Sequence, residues 1–315
     1  PTRRSSDLEG TPYRIDCWNG EAGEVAVYRI ENGRTVLDLE LAPGEACLYA
    51  IDLSRKPELH VVRTTADAVV KKETVFEAIA GSSGTYEVVF SDGNTVHFTA
   101  EVPDDIDLPL WDLVIEDWNE GDKKVIKEDR GQGIVTNEVY YETKKTLITA
   151  GETELKPWKD IAAAGPDVSG IGYYTAKVIL PDSWSTYNGA VLNIGSLHKN
   201  TAAVYVNGIK AKVLDFDSLK VDISELLKKG ENEIKIEVSS TLNNRLLARG
   251  YYEKGKQFSM SLAENANNAN PGSEQEASED GAEMDMSMLF HITAEVKDYG
   301  MTGTVSLQTY TKVEL

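Results

Sequence analysis

Apolar and polar side chains alternate with a period of two residues over long parts of this chain. Residues 233–239 read Glu-Ile-Lys-Ile-Glu-Val-Ser, and residues 37–41 read Leu-Asp-Leu-Glu-Leu. Side chains of a β-strand point alternately to the two faces of its sheet, so each segment predicts a strand with one buried face. Such strands belong to antiparallel sheets, and they leave no room for an eight-stranded α/β barrel.

Turn residues separate these strands. Asn207-Gly208 lies between two apolar runs and predicts a two-residue type I′ hairpin turn, and Asp92-Gly93 predicts a second hairpin. The clearest strands that we predict in the second half span 173–180, 190–194, 202–206, 209–214, 233–239, 289–296 and 303–310. One short helix is expected between Val221 and Gly230, capped by Asp222 or Ser224. The predicted fold class is all-β, with two antiparallel β-sandwich domains.

Composition sets the domain boundaries. The segment 103–109 combines two prolines with three acids and cannot continue a strand ladder, so we expect one β-sandwich over 9–104 and a second over 107–315.

Residues 263–287 carry seven acids and no basic residue, which predicts a disordered acidic insertion; a calcium-binding loop is the alternative. Residues 1–8 resemble the translation of a sequencing adapter, so we expect a non-native tail on an environmental gene fragment, or else a flexible basic tail.

The charge balance excludes several functions. The chain has 32 Lys and Arg against 52 Asp and Glu, a formal net charge of −20 at pH 7, so it is poorly suited to binding nucleic acid. No apolar run reaches the ~20 residues that a membrane-spanning helix requires. We therefore expect neither nucleic acid nor a membrane as a partner.

No catalytic or cofactor motif is evident. The sequence lacks Gly-x-Ser-x-Gly, His-Glu-x-x-His, Cys-x-x-Cys and phosphate-loop patterns, so we predict no catalytic residue, no metal site and no cofactor. The four histidines are scattered singly, as packed or surface residues usually are. Cys17 and Cys47 are expected to be small buried free thiols, or a disulfide if the protein is exported.

The stretch from Trp158 to Arg245 carries a specific set of motifs: Ser169-Gly170, Ala203-Val-Tyr-Val-Asn-Gly208, Gly230-Glu-Asn232 and Asn244-Arg-Leu246. This arrangement resembles the galactose-binding-like jelly roll of large bacterial glycoside hydrolases. It is similar to the sugar-binding domain of glycoside hydrolase family 2, and more closely to the carboxy-terminal β-sandwich of α-L-rhamnosidase-type enzymes. The resemblance covers residues 11–315.

Each motif also has a structural explanation. Gly208 and Gly230 permit a positive φ, Asn232 can bond the backbone, and Arg245 can tie a strand end to a carboxylate or to an exposed carbonyl. Gly170 and Gly172 allow a strand to approach a neighbouring backbone closely. Trp158 occupies a position that packs against the sheet in the family, so we expect it in the core.

The resemblance implies a carbohydrate-binding site in the loops at one end of the second sandwich. Aromatic rings offer an apolar face to sugar C–H groups, and amide and guanidinium groups bond hydroxyls. The candidate carbohydrate-binding residues are Trp184, Tyr187, His198, Asn200, Asn243 and Arg245. The same residues could instead pack the fold or contact a catalytic domain.

Three functional hypotheses follow. The first is a non-catalytic carboxy-terminal part of a secreted or periplasmic bacterial glycoside hydrolase, which supports the catalytic barrel and holds plant or microbial polysaccharide. The second is a free-standing carbohydrate-binding or adhesive module. The third is hydrolysis by this chain alone, which we do not expect.

Overall fold

A computed structural model describes residues 2–5, 9–17, 20–39, 41, 46–129, 131, 135–212, 214, 219–253 and 295–315. Their regular structure is nearly all β, and the strand pairings are antiparallel, which confirms the predicted fold class. Two 3-10 turns lie at Trp158–Asp160 and Ser224–Leu226, an α-helix, α1, spans Asn243–Ala248, and residues 251–253 are helical as well. The strands are β1 (Thr2–Ser5), β2 (Thr11–Ile15), β3 (Ala22–Glu24), β4 (Arg29–Glu31), β5 (Arg34–Leu39), β6 (Leu48–Asp52), β7 (Val61–Thr64), β8 (Ala68–Lys72), β9 (Val75–Ala80), β10 (Gly84–Phe90), β11 (Thr95–Ala100), β12 (Ile106–Asp107), β13 (Leu110–Asp129), β14 (Val135–Glu154), β15 (Gly170–Leu180), β16 (Asn188–Asn193), β17 (Thr201–Val206), β18 (Ile209–Lys210), β19 (Lys220–Asp222), β20 (Gly230–Ser239) and β21 (Ser306–Glu314).

Two six-stranded sheets share the larger hydrophobic core. One has the strand order β14-β13-β15-β20-β17-β18, and the other has the order β19-β16-β21-β9-β8, with β12 beside β21. The alternation along β20 places Ile234, Ile236 and Val238 in this core, where they meet Leu192 of β16 and Leu307 of β21. The two inner faces therefore form a β-sandwich.

A smaller core lies in the first hundred residues. It is built from buried residues of β7, β10 and β11 on one side and β8 and β9 on the other, among them Val61, Phe76 and Val88. The final strand connects the two cores, because β21 pairs with β16 through Asn188–Thr311 and with β9 through Ala80–Thr311. The boundary that we predict at 103–109 is therefore bridged by one continuous sheet, and the domain limits stay a prediction.

Two three-stranded sheets complete the N-terminal part, in the orders β3-β2-β6 and β1-β5-β4. Strand β1 pairs with β5 from Thr2–Leu39 to Ser5–Val36, although the sequence predicts no element there. Behind these strands the ring of Tyr28 stacks on His60, with centroids 3.9 Å apart and planes 10° from parallel.

The hairpin of β13 and β14 is the longest element. Strand β13 pairs with β15 only over Asp112–Asp117, whereas its pairing with β14 continues to Asp129–Val135. We call residues 119–145 of this hairpin the arm. Its described side chains are mostly exposed, and they include Val125, Ile126 and Tyr140.

Several sequence expectations need correction. Asn243–Ala248 is helical, whereas we predicted no helix beyond the one after Val221; that one is a single 3-10 turn at Ser224–Leu226. The strand predicted at 209–214 ends at Lys210, and the last strand runs to Glu314. Cys17 is exposed, since it follows the end of β2, and Cys47 is half-buried; both thiols are free. The acidic insertion at 263–287 and most of the strand predicted at 289–296 lie outside the described residues.

Candidate functional site

The motif residues at one end of the sandwich meet at a single buried carboxylate. Nη2 of Arg245 lies 2.7 Å from both carboxylate oxygens of Asp117. The backbone N–H of Ser169 also donates to Asp117 (3.3 Å), and the N–H of Arg245 donates to the Ser169 hydroxyl (3.3 Å). The prediction that Arg245 binds a carboxylate is confirmed, and this network joins β13, β15 and α1.

The motif residues at the opposite end form a second structural network. The Asn207 amide donates to the Asn232 side-chain carbonyl (2.9 Å), which also accepts from the backbone N–H of Lys228 (2.9 Å). The Asn232 amide donates in turn to the Gly230 carbonyl (3.0 Å). Gly208 and Gly230 have φ of +80° and +81°. The structural roles that we predicted for these residues are confirmed.

The predicted close approach to a neighbouring backbone is confirmed at Gly170, where an added Cβ would lie 2.0 Å from the Glu116 carbonyl oxygen. At Gly172 the close neighbour is a side chain instead, because an added Cβ would lie 2.5 Å from the Trp158 ring. The predicted core position of Trp158 is confirmed. Trp158 is 1% exposed and donates from Nε1 to the Tyr174 hydroxyl (2.8 Å).

The six predicted carbohydrate-binding residues are divided between the two ends of the sandwich. In the β15–β20 register, Leu180 pairs with Gly230 at one end and Ile171 with Ser239 at the other. Strand β20 is ten residues long, so the ends are roughly 30 Å apart at ~3.3 Å per residue. The loop after β15 holds Trp184 and Tyr187, and the opposite end holds His198, Asn200, Asn243 and Arg245.

Several of these side chains are engaged in holding the fold. Trp184 is 7% exposed. The Asn200 amide donates to the Leu197 carbonyl (2.8 Å), and the Asn243 amide donates to the Glu295 carbonyl (3.0 Å). Nε2 of His198 lies 2.9 Å from the Thr302 hydroxyl. Tyr187, in contrast, is 59% exposed.

Arg245 also lines a cavity of about 170 Å³ where the arm meets α1, which we call the arm-base cavity. Strands β13 and β14 form one wall, and residues 242–251 form the other. Its lining residues are Trp118, Asn119, Glu120, Tyr141, Glu142, Thr143, Leu242, Arg245, Leu246, Arg249 and Tyr251. The lining thus includes three aromatic residues, two arginines and two glutamates.

Trp118 is held in place by the sheet. Its Nε1 donates to Oε1 of Glu116 (2.8 Å), which also receives the ammonium of Lys145 (2.9 Å). The Lys145 ammonium, and then Trp118, hold the pKa of Glu116 below its usual range. The same ammonium lies 4.8 Å from the centroid of the Trp118 ring. The indole is therefore oriented before any ligand arrives.

The two arginines retain hydrogen-bonding capacity. Nε of Arg245 is buried and meets no acceptor among the described residues. Arg249 is exposed, and within the same part of the chain no carboxylate lies within ion-pair distance of it. A buried donor without a partner is uncommon in folded proteins, whereas the exposed side chain of Arg249 is accessible to a ligand.

Sequence reasoning identified Arg245 but not the other cavity residues as binding residues. Trp118 lies in a segment that the resemblance included, and its aromatic side chain was the available signal. No sequence pattern marks Tyr141, Arg249 or Tyr251 as binding residues. These residues come close to one another only because the arm and α1 meet in the fold.

Comparison with known proteins gives remote similarities. No family model and no curated protein matches the chain. Among solved structures, it is similar to a rhamnosidase from Novosphingobium sp. PP1Y, with 20% identity and a TM-score of 0.45 over 77% of this chain and 17% of that one. A Faecalibacterium prausnitzii β-glucuronidase matches with 13% identity and a TM-score of 0.31, over 68% of this chain and 33% of that one. The neighbours are glycoside hydrolases. A Dictyoglomus thermophilum β-D-glucuronidase matches with 20% identity and a TM-score of 0.26, over 44% of this chain and 20% of that one.

The chain therefore spans 17% of the length of the rhamnosidase. In the described part of the chain, no three His, Cys, Asp or Glu side chains are grouped so that they could hold a metal ion. Among the helices described, none has the length and apolarity needed to cross a membrane.

Proposed function

We propose that this chain is a non-catalytic, carboxy-terminal part of an α-L-rhamnosidase-type glycoside hydrolase and that it binds a sugar residue in the arm-base cavity. The observation that carries the proposal is the set of groups around this cavity. Trp118, Tyr141 and Tyr251 offer ring surfaces to sugar C–H groups, and Arg245 and Arg249 can donate to sugar oxygens. Glu120 and Glu142 can accept from hydroxyls.

The size of the cavity limits the ligand. At about 170 Å³ it is smaller than the ~300–1,000 Å³ of typical small-molecule pockets, so it suits a single pyranose ring. The presence of both guanidinium and carboxylate groups favours a neutral sugar, whose hydroxyls both donate and accept. The residue bound would belong to a plant or microbial polysaccharide, which implies a secreted or periplasmic protein.

The arm supports a second role as a scaffold for a catalytic domain. Val125, Ile126 and Val139 are each about half exposed, at 51%, 48% and 49%. Among the described strands, β14 pairs only with β13, and β13 has no second neighbour beyond Asp117. An exposed two-stranded ribbon with apolar side chains is suited to packing against another domain. A free-standing carbohydrate-binding module would share the cavity but would not need this contact.

A glycan array tests the binding proposal. The whole chain should bind at least one neutral oligosaccharide, and Arg249→Ala and Tyr251→Ala should each abolish the signal. Tyr140→Ala is the matched control, because Tyr140 and Tyr251 are equally exposed at 43% but Tyr140 lies outside the cavity. Absence of binding to every neutral oligosaccharide, or unchanged binding by both cavity variants, would overturn the proposal.

A further inference from the structure

A second cleft lies at the other end of the sandwich and has a different chemistry. It encloses about 510 Å³ between the loop after β15, the turn at residues 224–229 and strand β21. We call it the lysine cleft. It is lined by Trp184, Ser185, Thr186, Asn188, Ser224, Glu225, Leu227, Lys228, Lys229 and Lys312.

Its small polar side chains are largely occupied by the fold. Oδ1 of Asn188 accepts from both the N–H and the hydroxyl of Ser185, and its amide donates to the Thr311 hydroxyl. The Ser224 hydroxyl is bonded to Asp222 and lies 2.8 Å from the Tyr310 hydroxyl. These groups are therefore not free to bond sugar hydroxyls, and the ammonium groups are the main donors that remain.

Three lysines line this one cleft, although the chain as a whole has a net charge of −20. In the described part of the structure, Lys228 and Lys312 have no carboxylate within ion-pair distance. Lys229 pairs with Asp182 at 3.0 Å, but these side chains are 55% and 97% exposed, so the pair contributes little and is readily exchanged. Glu225 is the single carboxylate of the lining. A local positive cluster in an acidic protein attracts anions selectively.

The loop after β15 contributes one aromatic residue to the lining, Trp184, which is 7% exposed. Tyr187 of the same loop is 59% exposed but does not belong to the lining; its carbonyl accepts a hydrogen bond from the backbone N–H of Lys312 (2.6 Å). The three ammonium groups are therefore the chemical feature that selects a ligand at this cleft.

We propose that the lysine cleft binds an anionic substituent, a carboxylate or a sulfate, on a saccharide chain. This inference rests on the proposed function in that both concern glycans, but it uses a separate site with separate residues. Charge, rather than hydroxyl recognition, provides the affinity. Binding should therefore weaken as salt rises from about 0.1 M to about 1 M, where the screening length falls from ~10 to ~3 Å.

Titration of the whole chain with three matched tetrasaccharides tests this inference: a neutral one, one of uronic acids and one bearing sulfates. We expect an anionic probe to bind, and Lys228→Gln/Lys312→Gln to weaken it at least about tenfold. Lys177→Gln is the control, because Lys177 is exposed on the outer sheet face and pairs with Glu231. The anionic probe that binds more tightly identifies the substituent.

Equal binding of neutral and anionic probes at the lysine cleft, or unchanged binding by the double lysine variant, would overturn the inference. Inorganic sulfate binding as tightly as the tetrasaccharides would also overturn it. Arg249→Ala distinguishes the two proposals, since it should abolish neutral-glycan binding at the arm-base cavity and leave anionic binding unchanged.

Discussion

Arg245 and Asp117 form an ion pair that is mostly buried, with side-chain exposures of 15% and 7%. The pair joins a strand at the base of the arm to α1 across 128 positions of sequence. Asp117 thereby fixes a guanidinium group of the arm-base cavity lining, whose buried Nε meets no acceptor in the part of the chain that the structure describes. A contact that stabilises the fold thus also positions a proposed ligand donor.

Removal of one partner should be strongly destabilising. Arg245→Met leaves a buried carboxylate without its cation, which typically costs about 3–5 kcal/mol, and Asp117→Asn should also lower the free energy of unfolding. In the double variant the loss should be clearly smaller than the sum of the single losses. Urea unfolding measures the unfolding free energy of the two single variants and of the double variant. Strictly additive losses would contradict a direct interaction between Arg245 and Asp117.

Gly300 should tolerate a side chain less well than Gly230. Both glycines have positive φ, +95° at Gly300 and +81° at Gly230. A Cβ added at Gly300 would lie 2.5 Å from the Trp158 indole nitrogen and from the Tyr174 hydroxyl oxygen. A Cβ added at Gly230 would have no non-neighbouring heavy atom within 4 Å among the described residues. Gly230→Ala should cost about 1–2 kcal/mol from backbone strain. Overpacking adds about 1–3 kcal/mol in Gly300→Ala. Equal thermal stabilities of the two variants would refute this account of the Trp158 environment.

Tyr174 should make the protein sensitive to high pH. Burial raises the pKa of Tyr174 to about 12 from the model-compound value of 10.0. The unfolded chain loses this proton first, so the stabilisation is complete below pH 10 and is lost as the pH rises towards 12. Tyr28 contributes in the same window, with its pKa also raised to about 12 by burial.

Tyr174→Phe provides the check. It should flatten part of the decline in unfolding free energy in alkaline solution. It should also destabilise the protein at neutral pH, because Trp158 Nε1 and the Met301 N–H both donate to the Tyr174 hydroxyl. An unchanged pH profile in the variant would show that Tyr174 titrates normally.

His60 should have the corresponding effect in mild acid. Burial lowers the pKa of His60 below 6.5, and the hydrogen bond between Nδ1 and the Glu58 carbonyl oxygen (2.7 Å) partly opposes this shift. Lys71 also lowers this pKa, whereas Glu24 opposes the shift. The unfolded chain gains the proton first as the pH falls, so stability is complete above 6.5 and decreases below it.

The comparison of His60→Gln with His97→Gln isolates this contribution. His97 is 64% exposed and serves as the control for replacing a surface histidine. His60→Gln should remove the loss of unfolding free energy just below pH 6.5. The same slope in both variants would assign the acid sensitivity to other groups.

Local features of the sequence predicted much of the sandwich. The alternation along β20 and the Asn207-Gly208 turn each depend on a few adjacent residues, and both are present as predicted. The α1 helix was not predicted, because its buried residues are Asn243 and Asn244 and it therefore lacks the apolar stripe by which a helix is recognised in a sequence. The arm was not predicted either, because a two-stranded ribbon exposed on both faces does not need to alternate apolar and polar residues.

The arm-base cavity could not be predicted for a related reason. Trp118, Tyr141 and Tyr251 are brought together by a long hairpin and by α1, and neither element was evident in the sequence. The predicted site residues were chosen from loops, which the register then placed at opposite ends of the sandwich. The position of a loop relative to the two sheet ends depends on strand pairing, which no local pattern specified here.

Isothermal titration of the whole chain with a neutral oligosaccharide selected on the glycan array tests the central claim most directly. We predict one neutral saccharide bound per chain, loss of the binding heat in Tyr251→Ala but not in Tyr140→Ala, and recovery of the oligosaccharide at its original length. Binding that survives in Tyr251→Ala, or an oligosaccharide shortened by the wild-type chain, would contradict a non-catalytic sugar site at the base of the arm.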